Sequence, residues 1–150
     1  MDIIGIEGIK VSNEKIIYNS KGNILHGLKK TDDNFFGFGE AYFSMIDKNQ
    51  IKGWNKHSKM TLNLLVPVGE VTFIVHDNRK NSKSKGQFFK IKLSQDNYKR
   101  LTVSPELWLA FKGGSGSSQN LILNIANILH QPKEVIKKKI SSIDFNWGMI

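Results

Sequence analysis

The sequence has no cysteine, only three prolines, and only two arginines, Arg79 and Arg100, among its 22 basic residues. The missing cysteines exclude disulfides, thiolate metal centres and a cysteine nucleophile. Bases and phosphates are usually read by arginine forks, so a chain with two arginines is poorly equipped for that work. No apolar run approaches the roughly 20 residues that cross a bilayer, which excludes a transmembrane helix. The opening residues, Met1 to Glu7, include an early acid and no basic stretch, so a secretory signal is not expected and a cytoplasmic location is.

The chain has 150 residues and a net charge of +9. That length closes one hydrophobic core, so residues 1–150 are read as a single domain. The lysine excess reads mainly as solvated surface. Its densest runs are 79–85 and 137–139, and neither carries the interleaved aromatics of a single-strand binder. Nucleic acid and membrane are therefore not expected as partners.

Strand signals dominate. Short β-branched or alternating segments fall at 3–9, 13–18, 24–28, 40–46, 60–66, 71–77, 87–93, 98–103, 107–111 and 121–128. Pro67 to Glu70 reads as the turn of a central hairpin, and 113–118 as a flexible Gly/Ser turn. Residues 132–140 alone have helical character, with Pro132 at the start and Glu134 in the first turn. Many short strands with little helix predict an all-β, antiparallel jelly roll, a sandwich or barrel with a short C-terminal helix.

The four histidines, His26, His57, His76 and His130, lack metal-ligand spacing, and no metal is expected. No nucleophile elbow, Walker loop or dinucleotide fingerprint is present. The segment 51–59 stands out. It is basic and polar, and Lys52, Trp54, Lys56, His57 and Lys59 could meet an anionic ligand carrying a ring. Trp54 could equally plug a core. Asn63 alternates with Leu62 and Leu64, so it lies in a pocket only if its face points inward.

The run Ile51-Lys52-Gly53-Trp54, then Met60 through Gly69-Glu70-Val71, then Asp77-Asn78-Arg79 with Ser82 and Gly86, then Leu101 to Pro105, then Trp108 and Phe111, resembles the dTDP-4-dehydrorhamnose 3,5-epimerase family. The likeness runs from about Gly22 to Trp147 and is nearest to a short branch with the pattern K-G-W-x-x-H. It implies a cupin jelly roll and a homodimer. It implies no metal or organic cofactor. The implied ligand is a nucleotide-linked 4-keto-6-deoxy sugar, and the implied chemistry is proton abstraction beside the ketone.

The resemblance places Asn55 where the family has its catalytic histidine. It places Leu62 at the enolate-supporting lysine, Asn124 at or near the proton-donor tyrosine, and Leu109 at a further histidine. Lys52 stands for a substrate-binding arginine. The acid that supports the base has no clear counterpart; Asp144 is nearby but out of register. The expected catalytic residues are therefore a displaced His57 with Lys59, two positions apart and on one strand face. Tyr42, Phe43, Lys52, Trp54, Asn55, Asn63, Trp108 and Asn124 are the expected substrate contacts, with Tyr42 and Phe43 near the nucleotide base. Three activities stay open: an epimerase or ketoisomerase, a sugar-nucleotide or carbohydrate-binding member without acid–base groups, and a surface binder of polyanions.

Overall fold

In a computed structural model, which describes residues 5–150, two five-stranded antiparallel sheets face one another. The first runs in the order β1 (Ile9–Asn13), β9 (Lys99–Val103), β6 (Leu62–Val68), β11 (Gln119–Ala126), β4 (Glu40–Asp47). The second runs β12 (Val135–Lys137), β5 (Ile51–His57), β10 (Trp108–Gly113), β7 (Val71–His76), β8 (Phe88–Leu93). A two-stranded ribbon of β2 (Ile16–Ile17) and β3 (Ile24–Leu25) completes the fold. This is the expected jelly roll. Among the described residues, no helix is long and apolar enough to cross a membrane.

The inward faces carry the alternating apolar side chains of the two sheets. Ile46, Leu62, Leu64, Phe73, Val75 and Ile122 are all in the central core. Strands β6 and β7 are buried on both faces, which is why they read as continuous apolar runs rather than strict alternation. Outside β6, Leu65 is fully buried and approaches Gly27. Outside β7, Ile74 joins Trp54, Trp108 and Ala110 beneath Ile140, Ile143, Phe145 and Trp147 of the C-terminal segment.

Two local expectations change. The strand predicted over 3–9 starts outside the described residues, and its later part is a turn that leads into β1. The helical character at 132–140 is confined to a 3-10 turn, Pro132–Glu134, and a second one, Ile140–Ser142. Between them Val135 and Ile136 join β12 at the edge of β5, because a β-branched pair beside an open strand gains more from the ladder than from one more turn of helix.

Both arginines are used internally. Arg100 is buried and bonds Glu14, Asp32, the Gly27 carbonyl and the Asn63 side chain. Arg79 forks onto the fully buried Asp77 and reaches the Glu7 carbonyl. Burial works to raise the Asp77 pKa, but hydrogen bonds from Arg79, Ser82 and Ser84 outweigh it and hold the carboxyl well below its usual range. The Asp-Asn-Arg…Ser motif thus closes the loop between β7 and β8.

Candidate active site

A cavity of about 180 Å³ opens between the two sheets. That is smaller than the roughly 300–1,000 Å³ of drug-sized ligand pockets, so its enclosed part suits a sugar ring rather than a whole nucleotide sugar. One wall is the second sheet, with Lys52, Asn55 and His57 of β5 and Leu109 and Phe111 of β10. The facing wall is the first sheet, with Tyr42 and Ser44 of β4, Leu62 and Leu64 of β6, and Asn124 of β11.

Lys52 and Asn55 are three residues apart, yet both line the cavity. On a regular strand they would face opposite ways. A bulge resolves this. Ala110 of β10 pairs with Gly53 and Leu109 with Asn55, so Trp54 is the extra residue. It is turned outward and fully buried in the second cluster. Gly53 sits at φ +141°, and a Cβ there would lie 2.5 Å from the Ala110 Cβ. Gly53→Ala is therefore expected to cost at least about 2 kcal/mol, from backbone strain and overpacking together. A urea unfolding curve reads that loss directly.

The bulge leaves His57 as the last residue of β5, with its ring on the cavity. His57 Nδ1 lies 2.6 Å from Glu134 Oε1. The other carboxylate oxygen, Oε2, accepts from the backbone N–H of Lys59 at 2.9 Å and of Met60 at 2.8 Å. Burial pushes the Glu134 pKa up, but the hydrogen bonds from His57 and the two amides outweigh it and leave the carboxyl below its usual range. Glu134 is therefore an anion that can only accept. His57 Nδ1 must carry a proton, so in the neutral ring Nε2 is the nitrogen with the free lone pair. This is the geometry of an oriented general base.

Glu134 is the residue that sequence reasoning missed. It read as the first-turn acid of a helix. Its position beside the histidine comes from the β12–β5 pairing, in which Val135 faces His57. The only local signal is an acid just ahead of a β-branched pair. Asp144 plays no part in this arrangement.

The other expected residues divide. Tyr42, Lys52, Asn55 and Asn124 line the cavity with His57, and so do Leu62 and Leu109. Lys52 Nζ crosses to the Met45 carbonyl of β4 at 2.6 Å. Asn124 Nδ2 donates to the Tyr42 hydroxyl at 2.9 Å.

Five residues lie elsewhere. Lys59 follows the end of β5, so the same-face argument does not reach it; its side chain is exposed and its contribution is the backbone amide. Trp54 and Trp108 pack on the outer face of the second sheet, where Lys56 and Lys138 lie over the Trp108 ring. Phe43 points outward from β4 and is exposed. Asn63 is buried on the outer side of β6, accepting from Arg100 and Thr102 and donating to the Asn34 carbonyl.

The dTDP sugar isomerase of Desulfovibrio desulfuricans G20 superposes with a TM-score of 0.90 and 32% identity, over 95% of this chain and 92% of that one. The chain belongs to the dTDP-sugar epimerase/isomerase cupins. No family-level sequence profile matches it. A more distant protein shares the fold: the dTDP-6-deoxy-D-glucose-3,5-epimerase of Legionella pneumophila Philadelphia 1, in complex with dTDP-4-keto-L-rhamnose, has a TM-score of 0.82 at 18% identity over 95% of this chain and 79% of that one. The spore coat polysaccharide biosynthesis protein SpsL of Bacillus subtilis (strain 168) is 24% identical over 95% of this chain and 97% of its own length.

Proposed function

We propose that this dTDP-sugar cupin removes a proton from the carbon beside the ketone of a nucleotide-linked 4-keto-6-deoxy sugar, and so works as an epimerase or ketoisomerase with a rearranged base. The observation that carries the reading is the His57–Glu134 pair on the wall of the cavity. The C–H bond breaks, the proton passes to His57 Nε2, and the electron pair moves into the ring as an enolate. An epimer forms when a second donor protonates the opposite face of that carbon and His57 releases the abstracted proton to solvent. Returning the proton to the former carbonyl carbon, as the neighbouring hydroxyl proton moves to the former ketone oxygen, gives the shifted ketone.

Lys52 supplies the positive charge near the cavity for a carbonyl or phosphate oxygen, and Asn55 a hydrogen-bonding amide. Leu62, Leu64, Leu109 and Phe111 add apolar surface beside them, which strengthens the electrostatic contacts made inside. A homodimer belongs to the reading. Edge strand β4 exposes Phe43 and Met45, the kind of apolar edge that a partner covers. The reading places the protein in the cytoplasm, in the synthesis of a deoxy-sugar donor for polysaccharide.

The test is proton NMR in heavy water with a dTDP-4-keto-6-deoxy sugar. The expected result is deuterium replacing the proton beside the ketone faster than without protein, with signals of a new isomer. Saturable binding without any exchange would overturn it in favour of a binding member of the family.

A further inference from the structure

The acid that orients His57 hangs from a strand with little of its own to hold it. Glu134 directly precedes β12, and β12 is three residues at the edge of the second sheet. Val135 is half-buried, and Ile136 and Lys137 are exposed. A strand's register is fixed by the side chains it buries, and β12 buries almost none. Yet its pairing sets the base: Val135 faces His57, Ile136 faces Lys56 and Lys137 faces Asn55. At the Glu134 end, the Ser58 N–H donates to the Glu134 carbonyl at 2.9 Å. The Glu134 carboxylate anchors that end through the amides of Lys59 and Met60.

The other end is anchored by Trp54. Its backbone N–H donates to the Lys138 carbonyl at 3.0 Å, and its carbonyl accepts from the Lys138 N–H at 2.9 Å. Its indole Nε1–H donates to the Ile140 carbonyl at 3.2 Å. The ring is fully buried with Ile74, Trp108 and Ala110. Its centre lies 5.9 Å from that of Trp147 in the C-terminal segment. The bulge that turns Trp54 away from the cavity therefore ties the chain beyond β12 to the outer face of the sheet.

We propose that Trp54 is a positioning residue for the base: its indole pins β12 to β5 and so keeps the Glu134 carboxylate on His57 Nδ1. This rests on the acid–base reading of His57 and deepens it. So short an edge strand opens as one unit. When it opens, the carboxylate leaves the ring, and nothing keeps the ring proton on Nδ1. A displaced base slows the reaction without weakening binding, because Lys52 and Asn55 stay on the cavity wall.

The test compares the wild-type protein with Trp54→Phe, which keeps an aromatic ring without the N–H, and Trp54→Leu, which loses both. Amide hydrogen exchange at Ser58 and Lys138 reads the opening of β12, and NMR reads the His57 tautomer. Turnover is deuterium entry beside the ketone of a dTDP-4-keto-6-deoxyhexose. Trp54→Phe should speed both amides by about fivefold, the worth of one hydrogen bond. Trp54→Leu should lower kcat at least about tenfold, leave KM unchanged and bring up the Nε2-protonated form of His57. Because the chain has no cysteine, Lys56→Cys with Ile136→Cys sets a single disulfide across paired positions. These positions lie on the side away from the cavity, where Lys56 sits over Trp108. In the Trp54→Leu protein the oxidised pair should restore kcat and the Nδ1 tautomer, and reduction should abolish both.

A Lys138 amide that speeds up alone, with Ser58 unchanged, would overturn the proposal. So would an unaltered kcat and tautomer in Trp54→Leu protein that still unfolds cooperatively. A disulfide that raises stability without restoring kcat would do the same. If Trp54→Leu does not fold, Trp54→Phe decides through the Ser58 amide. Wild-type protein without deuterium entry would sink the base reading, and the Ser58 amide and the His57 tautomer would still judge the pin. Deuterium entry indifferent to both Trp54 variants would sink the pin and leave the base.

Discussion

Replacing His57 with alanine is expected to reduce deuterium exchange beside the ketone by about 10²–10⁴-fold, the usual contribution of a positioned general base. Sugar-nucleotide affinity should change far less, because Lys52, Asn55, Tyr42 and Asn124 remain on the cavity walls. Of the family positions that the resemblance assigns to acid–base groups, Asn55 and Asn124 carry amides that are neutral at pH 7, and Leu62 and Leu109 carry hydrocarbon. His57 has both an oriented ring and access to the cavity. Exchange and binding measured on one sample of His57→Ala check the prediction. Undiminished exchange would mean that the proton leaves by another route.

Glu134→Gln should produce two effects together. The carboxylate accepts from three donors: the His57 ring and the amides of Lys59 and Met60. Glutamine has one acceptor oxygen, and its NH2 would face a donor. With the side chain buried, the loss should be about 3–5 kcal/mol of stability, as when one partner of a buried pair is removed. The second effect is on His57. An amide NH2 facing Nδ1 favours the tautomer with the proton on Nε2, so the base is lost even in folded protein. Exchange per folded molecule should then fall by about 10²–10⁴-fold.

The pH dependence of stability carries the same signature. The folded Glu134 carboxyl titrates below the unfolded one, so ionisation stabilises the fold above the usual carboxylate range. That contribution disappears as pH falls through the depressed folded value, and Glu134→Gln should lack it. Urea unfolding at several pH values, with exchange at neutral pH, reads both effects.

These expectations show what the sequence could and could not reveal. The jelly roll was legible because β6, β7, β8 and β11 carry their own periodicity and their own turns. His57 was legible as a cavity residue through its place in the Lys-Gly-Trp-x-x-His run. Its supporting acid was not, because Glu134 is 77 residues away in the chain and reaches the ring through a strand pairing that no local pattern encodes. The outward turn of Trp54 depends on the bulge at Gly53, which shifts the parity of every later residue in β5. Asn63 was ambiguous from the start, since alternation says which residues share a face and not which face points inward. Its outward direction follows from Arg100 and Thr102, which bring partners from another strand.

The account rests on one orientation: Glu134 fixing the His57 ring so that a bare Nε2 faces the sugar cavity. Long-range ¹H–¹⁵N NMR of the histidine side chains in alkaline buffer, with and without a dTDP-4-keto-6-deoxy sugar, observes that orientation itself. The account predicts a His57 ring protonated at Nδ1, with an Nε2 signal that moves when the sugar nucleotide is added. A His57 ring protonated at Nε2, or an Nε2 signal indifferent to a ligand shown to bind, would contradict it.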